Sequence, residues 1–472
     1  MDEKRGSRLQ MSGKTEVREV RNMTEGNPAK LIFFFAIPLM LGNLFQQVYT
    51  ITDTIIVSRG VGVDALAALG SADWYNYLVL GTVQGLTQGF AILMAQFFGG
   101  KEYGDLRKAC AHSVRLSVIS ALLLTVVAQL SVGPVLTILH VDAAIRGAAE
   151  LYIRIIFAGI PAQMLYNFCA SELRALGNSR DPLIAIVISS LLNIVLDVLF
   201  VFVIPFGIGG AAVATVLAQA VSGVYCLFVV RRVEYLHFSA EDGRGNPQMD
   251  GRLMKLALPV MLMNNIIAIG GMIVNSVVNQ LGVAFVAGYT ATNKLYGALE
   301  MAALAYGYAM LTYIGQNLGA GRYERIRRGF RDALLIAFAT SALIGGVMIL
   351  LRHQIIGLFI PASGEEAVQA TGYAIQYLII MSSALFILYL LYVARSTLQG
   401  LGNTRMPMVS GLAEFAMRTF MAIVMTRFLG GVAVMWGEIL AWVGADLVLV
   451  GALLREFRKL KKLEQKQQEQ NT

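Results

Sequence analysis

The sequence predicts an all-α integral membrane protein with twelve transmembrane helices arranged as two matched six-helix bundles. Three observations predict it: the composition, a series of long apolar stretches, and motifs that occur twice. The 472-residue chain is 56% hydrophobic and only 14% charged, with a mean hydropathy of +0.63, a balance typical of polytopic membrane proteins. Apolar stretches as long as the ~20 residues that cross a hydrocarbon core recur along it. Landmarks of the first half return in the second, and such repetition decides fold before local detail does. LGNTRMP at Leu401 answers LGNSRDP at Leu176, and QNLGAGRYERIRR at Gln316 answers QFFGGKEYGDLRK at Gln96. GGVAV at Gly430 mirrors GGAAV at Gly209, while Pro259 and Asn264 stand where Pro38 and Asn43 stand earlier.

Residues 1–30 are polar and mixed in charge. They lack the apolar core and cleavage site of a signal peptide, so they read as a cytoplasmic leader. The first span, 31–58, carries Asn43, Gln46, Thr50 and Asp53 at intervals of three or four, one helical face. The second, 73–98, carries Gln84 and Gln88 and ends in a glycine stop and a basic turn. A third lies at 116–136. Glu150 and Arg154 open a fourth, which closes at RALGNSRDP. The fifth runs from Pro182 to Pro205, and the sixth, with Thr215 and Gln219, runs to Arg231. The first bundle is thus 31–231, a polar linker occupies 232–251, the second bundle is 252–455, and 456–472 is a tail. Six spans per half put both halves in the same sense, as parallel repeats about an axis along the membrane normal.

The net charge of +8 is a topology signal. Roughly 31 of the Lys and Arg residues fall in the leader, the tail and the turns near Lys101, Arg180, Arg231, Arg322 and Arg405, which places both termini in the cytoplasm. Anionic lipid can meet this basic side. Nucleic acid is not needed to explain it.

The fifth span holds the residues least suited to lipid. Asn193 and Asp197 are four apart on one face, with Ser189 one turn earlier. An acid at mid-membrane costs at least ~2.5 kcal/mol on insertion scales and usually marks an ion or substrate path. A structural Asp satisfied by a neighbouring helix is the alternative. Asp53 is the candidate partner, and two carboxylates in a low-dielectric bundle call for a shared proton or a sodium ion. Asn193 and Thr215 can add neutral oxygens. In the second half, Glu414 and Arg418 at i,i+4 read as a mutually satisfied pair. Lys294 and Glu300, six apart, point to different faces. Asp73 reads as a helix-start acid. Met261, Met263, Met272, Met301 and Met310, with Tyr289, Tyr296 and Tyr306 among them, give a deformable aromatic wall suited to lipophilic cations, or simply helix packing.

The duplicated LGN[ST]R-x-P turns after the fourth and tenth spans, with the glycine-rich turns after the second and eighth, resemble the multidrug and toxic compound extrusion (MATE) transporters over Lys30 to Arg455. The resemblance implies a cation-coupled exporter that alternates between outward- and inward-facing forms. In the branch whose ion site lies in the amino-terminal bundle, the site residues match Asp53, Asn193, Asp197 and Thr215. The other branch adds an acid on the seventh span, where this chain has Asn264, Asn265 and Asn275.

The expectation is a secondary antiporter in a bacterial-type cytoplasmic membrane, a monomer, exporting amphipathic cationic compounds for H+ or Na+. Its substrate cavity is assigned to Gln46, Gln84, Gln88, Asn264, Lys294, Tyr296, Glu300 and Met301. A flippase for a lipid-linked saccharide is the alternative, although only Lys294 and Arg418 offer cations within the spans. An enzyme finds no support: no GxxxxGK[ST] is present. The four histidines read as residues of helix ends or loops without metal spacing, and Cys110, Cys169 and Cys226 show no disulfide or zinc pattern. No cofactor is expected beyond the coupling ion.

Overall fold

The computed structural model describes residues 21–471, apart from 140, 205, 238, 240 and 361–363, and it leaves out the side chains of 63, 66, 71, 72, 470 and 471. Among the described residues every regular element is helical. The first six spans are α1 (Pro28–Gly60), α2 (Val63–Gly99), α3 (Tyr103–Ile138), α4 (Ala143–Ala158, resuming as Ile160–Ala175), α5 (Arg180–Val198 with a π turn, Leu199–Val203) and α6 (Gly207–Val230). The second six are α7 (Pro247–Val278), α8 (Val283–Gly319), α9 (Tyr323–Leu350), α10 (Glu365–Ser383 and Leu385–Gly400), α11 (Arg405–Phe420, a π turn Met421–Met425, then Thr426–Leu429) and α12 (Gly431–Asn471). Two spans stand apart from the other ten: α4 is made of two 16-residue pieces, each short for a membrane crossing alone, and α8 carries many polar residues.

The repeat extends to irregularities. α4 breaks at Gly159 and α10 bends by 48° at the matching Ala384. α5 and α11 each carry a five-residue π turn in the second part of the span, a distortion that often accompanies functional sites. The LGN turns each place glycine at positive φ, 85° at Gly177 and 78° at Gly402, which L side chains rarely adopt. The next residue then caps the following helix: the Asn178 and Asn403 side-chain oxygens accept from the Asp181 and Met406 amides.

Each half has its own core, but the first helix of each repeat crosses between them. Ile32, Phe35, Ala36 and Leu39 of α1 pack in the core of the second half, against α8 and α9. Met249, Leu253 and Ala257 of α7 pack in the core of the first. Small residues allow backbones to approach where apolar solvent gives helices no hydrophobic drive to associate. The seam closes most tightly at the final turns of α2 and α8. A Cβ on Gly99 would lie 1.9 Å from the Gln316 carbonyl oxygen, and one on Gly319 would lie 1.8 Å from that of Gln96. The same glutamines bridge the halves symmetrically: Gln96 Nε2 donates to Gly400 O (3.0 Å), and Gln316 Nε2 donates to Ala175 O (2.8 Å). This is the closed end.

α2 begins at Val63, ten residues before the expected 73, and three further boundaries also differ from the sequence expectation. α3 begins at Tyr103 rather than near 116, α7 begins at Pro247 within the expected linker, and α12 runs helical through the tail. In these three a polar stretch extends an apolar helix because it finds partners. Arg327 pairs with Glu464 on the α12 extension, and Asn403 donates to Glu456.

Midway along the seam the repeat makes one bond twice. Asn43 Nδ2 donates to Met301 O (3.4 Å), and the matching Asn264 Nδ2 donates to Gly81 O (3.1 Å). Asn43→Ala and Asn264→Ala should each lower stability by about 1 kcal/mol, measured by thermal unfolding in detergent; a loss confined to one of them would show that the equivalence is only geometric.

Candidate cation-coupling site

Two glycines set α1 against α5. A Cβ on Gly42 would meet Ile186 at 3.1 Å, and one on Gly60 would meet Val201 at 2.2 Å. Between them Asp53 comes opposite Asp197, with the two carboxyls within hydrogen-bonding range of each other. Asp197 and Asn193 are buried, at 0% and 1% exposure, and Asp53 at 9%. Asn193 Nδ2 donates to Thr215 Oγ1 across to α6 at 3.5 Å, while that hydroxyl donates to Ala211 O (3.1 Å). Both oxygens of Asp197, one of Asp53 and the side-chain oxygen of Asn193 receive no N–H or O–H donor. Buried oxygens without donors are costly. A proton or a small cation held among them removes that cost. The structure therefore brings together all four residues that the sequence singled out.

The second half solves the same problem differently. The register of the LGN turns matches Arg418 to Asn193 and Glu414 to Ser189. Glu414 accepts from Arg418 (3.0 Å) and from Arg395 of α10 (2.8 Å), and Arg418 also donates to Glu438 of α12 (2.7 Å). Arg395, Glu414 and Arg418 are all buried. The expected Glu414–Arg418 pair is thus part of a four-residue chain, and Arg395 is a further cation within the spans, so the two-cation expectation was too low. Here a tethered guanidinium sits where the first half leaves open oxygens.

The remaining cavity candidates divide between seam and cleft. Gln88 Nε2 donates to Gln399 Oε1 (3.3 Å), which commits it to the seam with Asn264 and the Met301 carbonyl. Gln84 is half-buried on α2, and Gln46 approaches the Tyr49 hydroxyl on α1. Tyr296 donates to Glu300 (3.4 Å), as does Tyr392, and Tyr296 stacks on Trp442. Tyr77 of α2 is 54% exposed although Glu300, Glu414 and Arg418 of the other half lie within electrostatic range. Lys294 and Asp73, also exposed, lie within electrostatic range of each other. These exposed groups of the two halves line a cleft between them away from the closed end. Asp73 looks across it from ten residues inside α2, which begins at Val63, so it is not the helix-start acid that the sequence suggested.

Two buried groups were not anticipated. His112 was expected among helix-end or loop residues; it is 1% exposed inside α3, its Nδ1 2.7 Å from Asp250 of α7, which also binds Arg115. His237 and His353 are exposed, as surface residues, and His140 lies outside the described residues. Glu172 of α4 is 1% exposed and accepts from the Cys110 thiol at 2.9 Å. The three cysteines are free and buried.

Because Glu414 neutralises two buried guanidiniums, Glu414→Gln should destabilise by about 3–5 kcal/mol. Glu150→Gln, which breaks the exposed pair with Arg154, should cost under about 1 kcal/mol. Melting temperatures in detergent compare them; equal losses would contradict the buried network.

Comparison with known proteins gives a consistent result. The MatE family model matches residues 38–199 and 259–426, one block in each half. The chain is 32% identical over 320 residues to the probable multidrug resistance protein YpnP of Bacillus subtilis (strain 168), covering 65% of this chain and 68% of that protein. To the probable multidrug resistance protein NorM of Thermotoga maritima it is 22% identical over 450 residues, covering 93% and 92%. Among solved structures it is similar to an outward-facing conformation of a multidrug resistance MATE family transporter, with a TM-score of 0.85 and 24% identity over 93% of this chain and 98% of that one. A MOP superfamily transporter from Pyrococcus furiosus gives 0.87 and 24%, over 94% and 99%.

Proposed function

Given that the chain belongs to the MATE family, whose members are membrane transporters and not enzymes, we propose that it is an antiporter that exports amphipathic organic cations in exchange for H+ or Na+. The observation that carries this reading is the set of donorless oxygens on Asp53, Asn193 and Asp197, beside Thr215. A cation there neutralises the pair, and its exchange between two sides of the membrane supplies the free energy for export. The cleft wall, with Glu300 held by Tyr296 and Tyr392, offers a negative charge and aromatic faces to an organic cation. A lipid-linked saccharide flippase would present free cations to a phosphate, whereas Arg395 and Arg418 are already paired with carboxylates.

The protein sits as a monomer in the cytoplasmic membrane with both termini inside, in keeping with the one-sided Lys and Arg distribution. Cysteine labels at Gly243 and Gln467 should then react only from the cytoplasm; external labelling in intact cells would overturn this orientation.

Asp53→Asn and Asp197→Asn preserve size but remove the charge. Each should fold and insert, yet lose transport of a fluorescent cation into inverted vesicles under an imposed H+ or Na+ gradient. The double variant should be little worse than either single one, since the two groups act as one unit. Wild-type transport with unchanged ion dependence in Asp197→Asn would place the coupling site elsewhere. Tyr296→Ala and Met301→Ala should change which toxic dyes the cell resists more than they change protein abundance; an unaltered spectrum for both would assign that wall to packing.

A further inference from the structure

The polar leader does not simply precede α1. Its last described residues, Arg21–Asn27, lie against both halves at the closed end. Met23 is fully buried and Thr24 nearly so. The Met23 amide donates to Gln316 Oε1 (2.8 Å), and its carbonyl accepts from Asn317 Nδ2 (3.2 Å) and Arg325 Nη2 (3.3 Å). Arg325 Nη1 also donates to Gly26 O (2.9 Å). Gln316, Asn317 and Arg325 belong to the α8–α9 corner of the second half. On the other side, the Arg21 carbonyl lies against the α4–α5 turn of the first half, where a Cβ on Gly177 would sit 2.0 Å from its oxygen.

We propose that this segment is a latch: docked, it holds the closed end shut, and it must leave its seat before the halves can part there. Gln316 is the residue that bridges to Ala175 in the symmetric seam, so the strap seats on one of the two bridges. The matching bridge, Gln96 to Gly400, carries no such strap among the described residues. The latch therefore adds to one side of a symmetric closure and biases the protein toward the form with this end closed. Its hydrogen bonds run from side chains of the second half to backbone of the strap, so they restrain whatever residues occupy it. The buried Met23 side chain supplies the part specific to this sequence.

The inference rests on the alternating movement proposed above, but it is tested without transport. Spin labels on Glu102→Cys and Glu324→Cys, exposed residues in the α2–α3 and α8–α9 corners, report the separation of the closed ends in purified protein whose native cysteines are replaced by alanine. Arg325→Gln loosens the strap from its seat, and Met23→Ser independently removes its buried anchor. In either variant the long-distance population should rise at least about tenfold relative to the parent. A folded variant with the parent's distance distribution overturns the latch. So does failure of both variants to fold, which would make the segment part of the core. Loss of coupling in Asp53→Asn or Asp197→Asn leaves this distance unaddressed, so the two readings fail separately.

Discussion

An ionisable group inside a helical bundle of membrane thickness must find a partner, and the two halves of this protein satisfy that constraint in opposite ways. In the second half Arg418 and Arg395 pair with Glu414 and Glu438, and Asp446 of α12 is a single buried acid that has no donor among the described residues and no second acid opposite it in the LGN register. In the first, Asp53 and Asp197 face each other, and among the described residues no cationic side chain bonds them, which is the basis of the proposed coupling site. One duplicated scaffold thus carries a charge network in one half and, in the function proposed above, an exchangeable site in the other. Replacing Asn193 by its repeat counterpart, arginine, is the change that would convert the second kind of site into the first.

The scaffold makes the proposed exchangeable site sensitive to the arrangement of the halves. α1 begins in the core of the second half, through Ile32, Phe35 and Leu39, and carries Asp53 against α5 of the first. Any relative movement of the halves acts on α1, and hence on one of the two acids. α7 makes the reciprocal crossing, but it brings no acid to the matching place. Contact at the closed end depends on glycines whose backbones touch, so a small separation there is sterically free whereas closer approach is not.

Much of this was legible in the sequence, because it follows from periodicity and repetition. Asp53, Asn193, Asp197 and Thr215 lie on polar stripes of apolar helices, and stripes of that kind must face a bundle interior. The LGN turns set the register that matches the halves. What sequence could not supply was pairing across long separations. His112 follows a basic turn and so reads as a surface residue, yet α3 starts early enough to bury it beside Asp250. Arg395 lies between an apolar run and a conspicuous turn, and only the α10–α11 packing reveals its tie to Glu414. Met23 belongs to a polar leader with no pattern of its own; its burial depends on Gln316, some three hundred residues later.

The central claim is that Asp53 and Asp197 together hold the exchangeable cation, and their carboxyl vibrations report this directly. Infrared difference spectra of the purified protein, recorded while pH or Na+ concentration is stepped, should contain a carboxyl band that both Asp53→Asn and Asp197→Asn remove. Asp446→Asn, which alters a buried acid in the second half, should leave that band in place. A wild-type spectrum without such a band, or one that survives both substitutions, would contradict the account.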